Sequence, residues 1–189
     1  MVKYRGWLLI GCLFAALTFP SVALAQTSSV DFRRSSAGLF FGYDFEVEDP
    51  LIGADLRFSY NVANNFALSL NPAFTYYFMD DRQVFGITIE SRLVQFDVNA
   101  LAHLVIDGPI EPYVGLGLAI NHARIRAEGW GAESSESETS LGLNLIAGTE
   151  INLDGPLVPF AQLRVTFLEQ EELDHANFLA VMGGLAYEF

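Results

Sequence analysis

The stretch GGLAYEF, residues 183–189, decides the fold of this chain. Its larger side chains, Leu185, Tyr187 and Phe189, stand at every second position, and Val181 continues the series towards the N-terminus. A period of two is the pattern of a β-strand, whose successive side chains point to opposite faces. Terminal residues are ordered only when something holds them. We therefore expect a strand that is packed along its whole length up to Phe189.

The same alternation recurs from Ala37 onwards. Eight segments of alternating character are separated by residues such as Gly, Pro, Asn and Asp, and the segment PYVGLGLAINH is representative. No segment combines a 3.6-residue period with helix caps. Strands that follow one another through hairpins form an antiparallel meander. The sequence predicts an all-β fold, an eight-stranded antiparallel up-and-down barrel.

The connections between these segments alternate in length. Those after the second, fourth and sixth segments are short turns such as Asp107-Gly108-Pro109, whereas most of the others are longer and more acidic. The longest expected loop runs from Arg124 to Ser140. Short turns at one end and longer loops at the other are typical of outer-membrane barrels.

The composition of the polar face indicates which side meets lipid. It consists mostly of Gly, Ala, Ser, Asn and Thr without Lys, which suits the filled interior of a narrow barrel. The opposite face carries large apolar side chains, which suit lipid around a closed barrel, and aromatic residues lie towards the strand ends, Phe160 among them. A soluble barrel with an apolar ligand pocket is the alternative. We favour the transmembrane barrel.

The N-terminal residues predict export. Lys3 and Arg5 precede an apolar stretch, and Ala23-Leu24-Ala25 forms a cleavage site, which is the layout of a secretory signal peptide. A lipoprotein cleavage box at Leu9-Ile10-Gly11-Cys12 is disfavoured, because the apolar region before it is too short. We expect a cleaved signal peptide over 1–25, a short periplasmic segment over 26–36 and the barrel over 37–189.

The charge of the exported part is strongly negative. Behind the signal peptide stand eight cations, all Arg, against 23 acids, which argues against a nucleic-acid partner. Clustered loop carboxylates suit Ca²⁺ or Mg²⁺, but no D-x-D-x-D-G loop is present, so we expect a solvated acidic crown with neither a metal nor a cofactor. The acids of this crown are Glu48, Asp49, Asp80, Asp81, Glu128, Glu133, Glu136, Glu138, Glu169, Glu171, Glu172 and Asp174.

Charged residues also fall on the polar, lumen-facing side of the strands. Buried charges are costly unless they are paired, so they predict an ion-pair network. A network that plugs the barrel is the favoured interpretation, and a gated narrow pore is the alternative. The predicted lumen charges are Asp44, Glu46, Asp55, Arg57, Asp97, Glu150, Arg164 and Glu188.

Catalytic residues are not expected. The candidates are His103, near the periplasmic end of its strand, and His122 and His175 at loop bases. None has a Ser and an acid at a spacing that predicts a triad, although triad members need not be close in sequence.

The sequence resembles the small outer-membrane β-barrel proteins of Gram-negative bacteria, the OmpA/OmpX-type eight-stranded barrels. PYVGLGLAINH, LGLNLIAGTEI, PFAQLRVTF and GGLAYEF carry the resemblance. It implies that the barrel-assembly machinery reads a C-terminal signal, which Phe189, Tyr187, Leu185 and Val181 match and from which Gly183 departs. It further implies a monomer in the cell outer membrane, in contact with lipid and lipopolysaccharide.

The expected function is a structural or surface-interaction role, supporting envelope integrity or presenting adhesion-type loops. Two alternatives remain open at this point. The first is a narrow passive pore for small solutes or ions. The second is a lipid-A-modifying enzyme, because some barrels of this size have that activity.

Overall fold

Within the part of the chain that the structure describes, every regular element is a β-strand. The computed structural model describes residues 30–79, 82–84, 87–129, 132–153, 155–169 and 177–189. No helix among them is long and apolar enough to cross a membrane. The strands are β1 (Asp31–Asp44), β2 (Asp49–Ala63), β3 (Phe66–Tyr77), β4 (Arg82–Val84), β5 (Ile87–Leu104), β6 (Ile110–Gly129), β7 (Ala132–Ile151), β8 (Leu157–Leu168) and β9 (Asn177–Glu188).

Eight of these strands close into a ring. Each is antiparallel to its neighbours, β1 pairs with both β2 and β9, and β3 pairs directly with β5. The short β4 lies outside the ring and pairs with the start of β5. The predicted eight-stranded antiparallel barrel is confirmed. A closed ring leaves no unpaired strand edge, which is what a lipid environment demands.

One end of the ring, the turn end, carries the short connections and the described termini, and the opposite end is the loop end. β1 begins at Asp31, six residues before the expected start of the barrel at Ala37, and a bulge interrupts its pairing with β2 between Phe32 and Arg34. A bulge adds a residue to one strand and re-aims the side chains around it. Here it allows Arg33 and Arg34 to reach the lumen together.

The loop end differs from expectation. The described residues of the range 124–140 form strands rather than a long loop, because β6 and β7 remain paired as far as Gly129 and Ala132. By contrast, β8 pairs with β7 only as far as Gly142. The expectation was wrong because it took polar residues as a loop signal, although strand pairing uses backbone groups. The loop-end parts of β5, β6 and β7 (residues 87–93, 121–129 and 132–140) therefore extend past the ring as a three-stranded projecting sheet.

The outside of the ring is apolar and the inside is polar. Leu39 and Phe41 are 68% and 71% exposed, whereas the lumen-facing Thr75 and Gln95 are fully buried. On β5 the outward apolar residues run from Val94 to Leu104. At about 3.4 Å per residue and a tilt of about 45°, this distance spans about 24 Å of membrane thickness. An outer-membrane barrel has an apolar band of about 25 Å, so the apolar face is the lipid face.

Aromatic pairs mark both edges of this band. Tyr76 and Phe78 meet at the loop end with ring centroids 5.2 Å apart, and Phe32 and Tyr60 meet at the turn end at 5.7 Å. Such pairs form the interfacial girdles of barrels. Phe160 does not belong to them, because its side chain points inwards and is 5% exposed.

A charge in the middle of the apolar band should destabilise the barrel. Leu118 on β6 pairs with Val98 near the centre of the band. We expect Leu118→Arg to lower the free energy of unfolding in lipid vesicles by about 2–4 kcal/mol, and Ser137→Arg, on the projecting sheet outside the band, by about 1 kcal/mol or less. Urea titration followed by gel mobility without boiling measures both. Equal losses at the two positions would contradict the assigned lipid face.

Candidate functional site: the charged lumen

The turn end of the lumen holds a cluster of arginines and glutamates. Arg33 binds Glu111 through two hydrogen bonds, with Nη1–Oε1 and Nη2–Oε2 distances of 2.7 and 2.5 Å. Arg34 donates to Glu188 at 2.6 Å and also to Glu150. Each glutamate is thus matched by at least one guanidinium. This matching is what allows Glu111 and Glu150 to be almost fully buried.

Arg57 occupies the next layer of the lumen. Its guanidinium donates to Asp55 at 2.9 Å and to Glu150. It also lies 4.1 Å from the centre of the Phe160 ring and 5.6 Å from that of Tyr113. Stacking on an aromatic face stabilises a desolvated cation. Arg57 is only 2% exposed, and two carboxylates and the Phe160 and Tyr113 rings stabilise its buried charge.

Side-chain amides link this layer to the middle of the barrel. Asn71 donates to Asp55 at 2.9 Å, Asn99 donates to Asn71 at 3.2 Å, and Asn144 donates to Asn99 at 3.0 Å. An amide can donate and accept at once. The three residues therefore join the two charged parts of the lumen by hydrogen bonds.

Arg164 and Asp97 form a second charged pair near the loop end. Nη1 of Arg164 lies 2.8 Å from Oδ2 of Asp97, and both side chains are 2% exposed or less. Nη2 donates to the Tyr77 hydroxyl at 3.1 Å, and Asp97 also accepts from Gln95 and Asn144. The carboxylate is fully enclosed by donors. Together with the turn-end residues, these contacts make one continuous polar network along the lumen.

Six of the eight predicted lumen charges take part in this network. Asp44 is fully buried near the loop end and accepts the backbone N–H groups of Glu46 and Val47. Glu46 itself is exposed, because the chain leaves the strand at Asp44 and the alternation stops there. The six residues brought together are Asp55, Arg57, Asp97, Glu150, Arg164 and Glu188.

Sequence reasoning missed Arg33, Arg34 and Glu111. The two arginines were assigned to the segment before the barrel, and the bulge that aims them inwards has no clear sequence signal. Glu111 stands directly after a turn, where an acid is usually solvated, yet it is 2% exposed. One signal was available. The predicted set of lumen charges contained many acids and only two arginines, which indicated that further cations were needed to pair with them.

Glycines make room for the large lumen side chains. A Cβ at Gly53 would lie 2.2 Å from Cζ of Phe40, and one at Gly148 would lie 2.4 Å from Cζ of Tyr113. Real Cβ atoms do not approach other atoms so closely, and interiors are close-packed. Glycine on one strand is therefore paired with an aromatic ring on its neighbour, and these rings fill the lumen.

His103 lies in the turn-end cluster with a serine and a glutamate beside it. Nε2 is 2.9 Å from the Ser69 hydroxyl, and Nδ1 is 3.0 Å from Oε1 of Glu111. These distances are those of a Ser-His-acid arrangement. However, Ser69 is 3% exposed and also bonded to Ser59 at 2.7 Å, and Glu111 is bound to Arg33. A substrate would have to displace this packing to reach the hydroxyl.

The same cluster contains residue types that bind metal ions, but its neighbouring charges do not favour a cation. Ligand atoms of His103, Glu111 and Glu150 lie within 4.8 Å of one another. Both carboxylates already bind arginine, Glu111 through Arg33 and Glu150 through Arg34 and Arg57. A cation would have to enter beside three guanidinium groups, so the cluster suits ion pairing better than metal binding.

The remaining predicted residues that the structure describes lie on the outside of the barrel. Phe189, Tyr187, Leu185 and Val181 are exposed on the outer face of β9 or just past its end. The described acids of the crown, Glu48, Glu128, Glu136, Glu138 and Glu169, are exposed as well, and Asp49 is half-buried. His122 is exposed and bonded to Thr139 at 2.9 Å. Asp80, Asp81, Glu171, Glu172, Asp174 and His175 lie outside the described residues, as does the side chain of Glu133.

A closed eight-stranded ring with an apolar outer band and a polar, filled interior defines a transmembrane β-barrel. The chain belongs to the Opacity family of porin proteins, whose family model matches residues 16–189. It is therefore an integral outer-membrane barrel protein, as the sequence predicted. No curated protein sequence matches the chain significantly.

Solved structures of outer-membrane barrels share the fold. Neisserial surface protein A is 16% identical with a TM-score of 0.59, covering 86% of this chain and 100% of that one. The attachment invasion locus protein of Yersinia pestis is 19% identical with a TM-score of 0.57, covering 82% and 98%. The N-terminal barrel domain of Pseudomonas aeruginosa OprF is 19% identical with a TM-score of 0.51, covering 84% and 100%. These likenesses show the fold alone.

Removing one partner of a buried pair should cost more stability than removing both charges. Arg164→Met leaves the Asp97 carboxylate without its cation, and we expect the free energy of unfolding to fall by about 3–5 kcal/mol. The double variant Asp97→Asn/Arg164→Met should recover most of this loss. Urea unfolding in lipid vesicles measures each variant. If the double variant were as unstable as Arg164→Met alone, the pair would not be what stabilises this layer.

Proposed function

We propose that the protein acts through its outer surface, as a structural barrel that presents the projecting sheet outside the cell. The observation that carries this proposal is the extension of β6 and β7 past the ring. Each of these strands is 20 residues long, whereas β8 and β9 have 12 residues each. A sheet that leaves the membrane in this way offers exposed side chains on both faces. Such a surface serves envelope support or adhesion.

The orientation and processing of the protein belong to the same proposal. The signal peptide over 1–25 is cleaved, the turn end lies in the periplasm, and the barrel is inserted as a monomer. Phe189, Tyr187, Leu185 and Val181 form an outward-facing series at the end of the chain. A series in this position is accessible to the assembly machinery before the barrel closes.

Surface labelling on intact cells tests this orientation. Without the signal peptide the chain has no cysteine, so single-cysteine variants report one position each. Ser135→Cys on the projecting sheet should react with a membrane-impermeant maleimide, and Asn65→Cys in the β2–β3 turn should react only after the outer membrane is opened. The reverse pattern would overturn the proposal.

The pore alternative is disfavoured by the filling of the lumen. The network joins Arg34 at the turn end to Tyr77 near the loop end through hydrogen bonds, and it contains rings such as Phe160 and Tyr113 in addition to charged groups. If a passing ion displaced one member of a buried ion pair, the other member would be left unpaired, which costs several kcal/mol. The favoured description of the lumen is a plug.

Planar-bilayer recording distinguishes the plug from a pore. The wild-type barrel should show no steady single-channel conductance, with a porin inserted in the same bilayer as the positive control. Arg164→Met/Asp97→Asn should be equally silent, because the side chains of this layer keep almost the same volume. Regular conductance steps in the wild type would favour the pore.

An enzymatic role is disfavoured by access. The Ser-His-acid arrangement of Ser69, His103 and Glu111 lies inside the barrel, whereas a lipid substrate would approach from the outer face. Hydrolysis also needs donors aimed at the developing oxyanion. The groups around Ser69, the Ser59 hydroxyl and the His103 ring, are already bonded to it.

A further inference from the structure

The projecting sheet has an inner face, which continues the lumen-facing side of its strands past the loop end of the ring. Residues of this face alternate with outward residues along each strand, as they do within the ring. It faces away from the surrounding lipid, so lipid does not account for the apolar residues on it. The described residues of the inner face are Ile89, Ser91 and Leu93 on β5, Asn121, Ala123, Ile125 and Ala127 on β6, and Ser134, Glu136, Glu138 and Ser140 on β7.

Apolar residues form a strip along β5 and β6 on this face. Leu93 is 5% exposed and belongs to the apolar cluster in the lumen. Further from the membrane, Ile89 is half-buried and Ile125 is 52% exposed. Ile125 stands three residues past His122, the partner of Val94 at the edge of the apolar band, which is about 10 Å along the strand. Apolar surface bordered by polar residues is typical of interaction sites.

Two carboxylates border this apolar strip. Glu138 on β7 pairs with Ala123, and Glu136 pairs with Ile125 in the next row of the inner face. Residues directly opposite each other in an antiparallel pair have Cβ atoms about 5 Å apart, and both glutamate side chains are exposed. An acidic edge therefore runs alongside the apolar strip.

Arginine lies away from this acidic edge. Arg92, Arg124 and Arg126 occupy outward positions, on the other face of the sheet. Arg82 on β4 pairs with Ile89, three strands from β7, which is about 14 Å at a spacing of about 4.8 Å. Among the described side chains on the inner face of β6 and β7 there is no cation. A partner that matches this part of the face must supply positive charge.

The foot of the inner face, next to the ring, carries an unpartnered amide. Asn121 is 2% exposed, and neither its Nδ2 nor its Oδ1 has a hydrogen-bond partner among the described residues. A buried amide without a partner is costly, and it can both donate and accept. This hydrogen-bonding capacity favours an occupant with polar groups over a hydrocarbon chain.

We propose that the inner face binds a cationic amphipathic peptide, with its apolar side chains on the strip and its basic side chains beside Glu136 and Glu138. The inference rests on the proposed function and deepens it, by naming a class of partner for the projecting sheet. From Leu93 to Ile89 the strip covers four residues, or about 14 Å. About nine residues of a helix have this length, and amphipathic helices bind such surfaces through one apolar face.

Other occupants fit this face less well. A polyanion would meet Glu136 and Glu138 on a chain that carries 23 acids. A second copy of the chain in a two-fold dimer would place the same surface on both partners, so that these carboxylates would face each other. A free metal ion would use the acids but leave Ile125 exposed.

Fluorescence anisotropy of labelled peptides tests the proposal, with the purified full barrel in phosphatidylcholine nanodiscs and empty nanodiscs as the background. The main probe is a helical-period peptide of Leu and Lys with about 18 residues, or about five turns. Two comparison peptides separate the contributions. One has Glu in place of every Lys, and the other has Ser in place of every Leu.

The variants alter one part of the inner face at a time. Glu136→Gln/Glu138→Gln removes the acidic edge, and Ile125→Ser removes the exposed apolar side chain. Glu90→Gln/Glu128→Gln is the matched control, because it removes two carboxylates from the outward face of the same sheet. All variants should keep the heat-dependent gel shift, since the altered side chains lie outside the ring.

Each inner-face variant should bind the Leu/Lys peptide at least about 5-fold more weakly than the wild type does, because each lacks part of a combined apolar and ionic contact. The control should match the wild type. Both comparison peptides should bind the wild type at least about 5-fold more weakly than the main probe does. Wild-type binding no stronger than that of empty nanodiscs would overturn the proposal.

Two further results would also contradict the proposal. Equal losses in Glu136→Gln/Glu138→Gln and in the control would show a general attraction to an acidic chain. Unchanged affinity in either inner-face variant would show that the peptide binds elsewhere.

The binding measurement does not depend on orientation in the cell, because both ends of the barrel are accessible in a nanodisc. If the inner-face variants lost affinity but Asn65→Cys were labelled on intact cells, the proposed function would fail while the peptide site remained. If labelling followed expectation but affinity did not change, the peptide proposal alone would fail.

Discussion

The narrowness of an eight-stranded ring is the constraint on which the rest of the structure depends. A ring of this size leaves an interior that side chains just fill. Some of the large residues that point inwards therefore face a glycine, as Phe40 faces Gly53 and Tyr113 faces Gly148. The small residues of the polar face are the counterparts of its few large ones.

A polar filling also fixes which face of each strand points inwards. If both faces were apolar, a one-residue slip in pairing would expose a different set of side chains at little cost. With Arg57, Asp97 or Arg164 on one face, the same slip would place a charge in lipid. The ion-pair network thus specifies the register as well as stabilising the interior, although such networks are costly where any member is unpaired.

Alternation was sufficient to predict the barrel, its lipid face and most of the charged lumen residues, because a period of two assigns each residue to a face. It could not predict partners. Arg34 and Glu188 are 154 residues apart and meet only because β1 closes on β9. The bulge between Phe32 and Arg34 and the inward orientation of the Phe160 side chain also depend on the closure of the barrel. The length of β6 and β7 at the loop end was not predicted, because their polar residues were interpreted as an irregular loop.

The division of the arginines follows from these constraints. Arg33, Arg34, Arg57 and Arg164 stand inside, each beside at least one carboxylate. Arg92, Arg124 and Arg126 stand outside, just past the lipid band, with Glu90 among them. A plugged interior cannot exchange its partners without exposing a buried charge. Chemistry that responds to the surroundings is therefore left to the outer surface, to which β5, β6 and β7 contribute the sheet that extends beyond the ring.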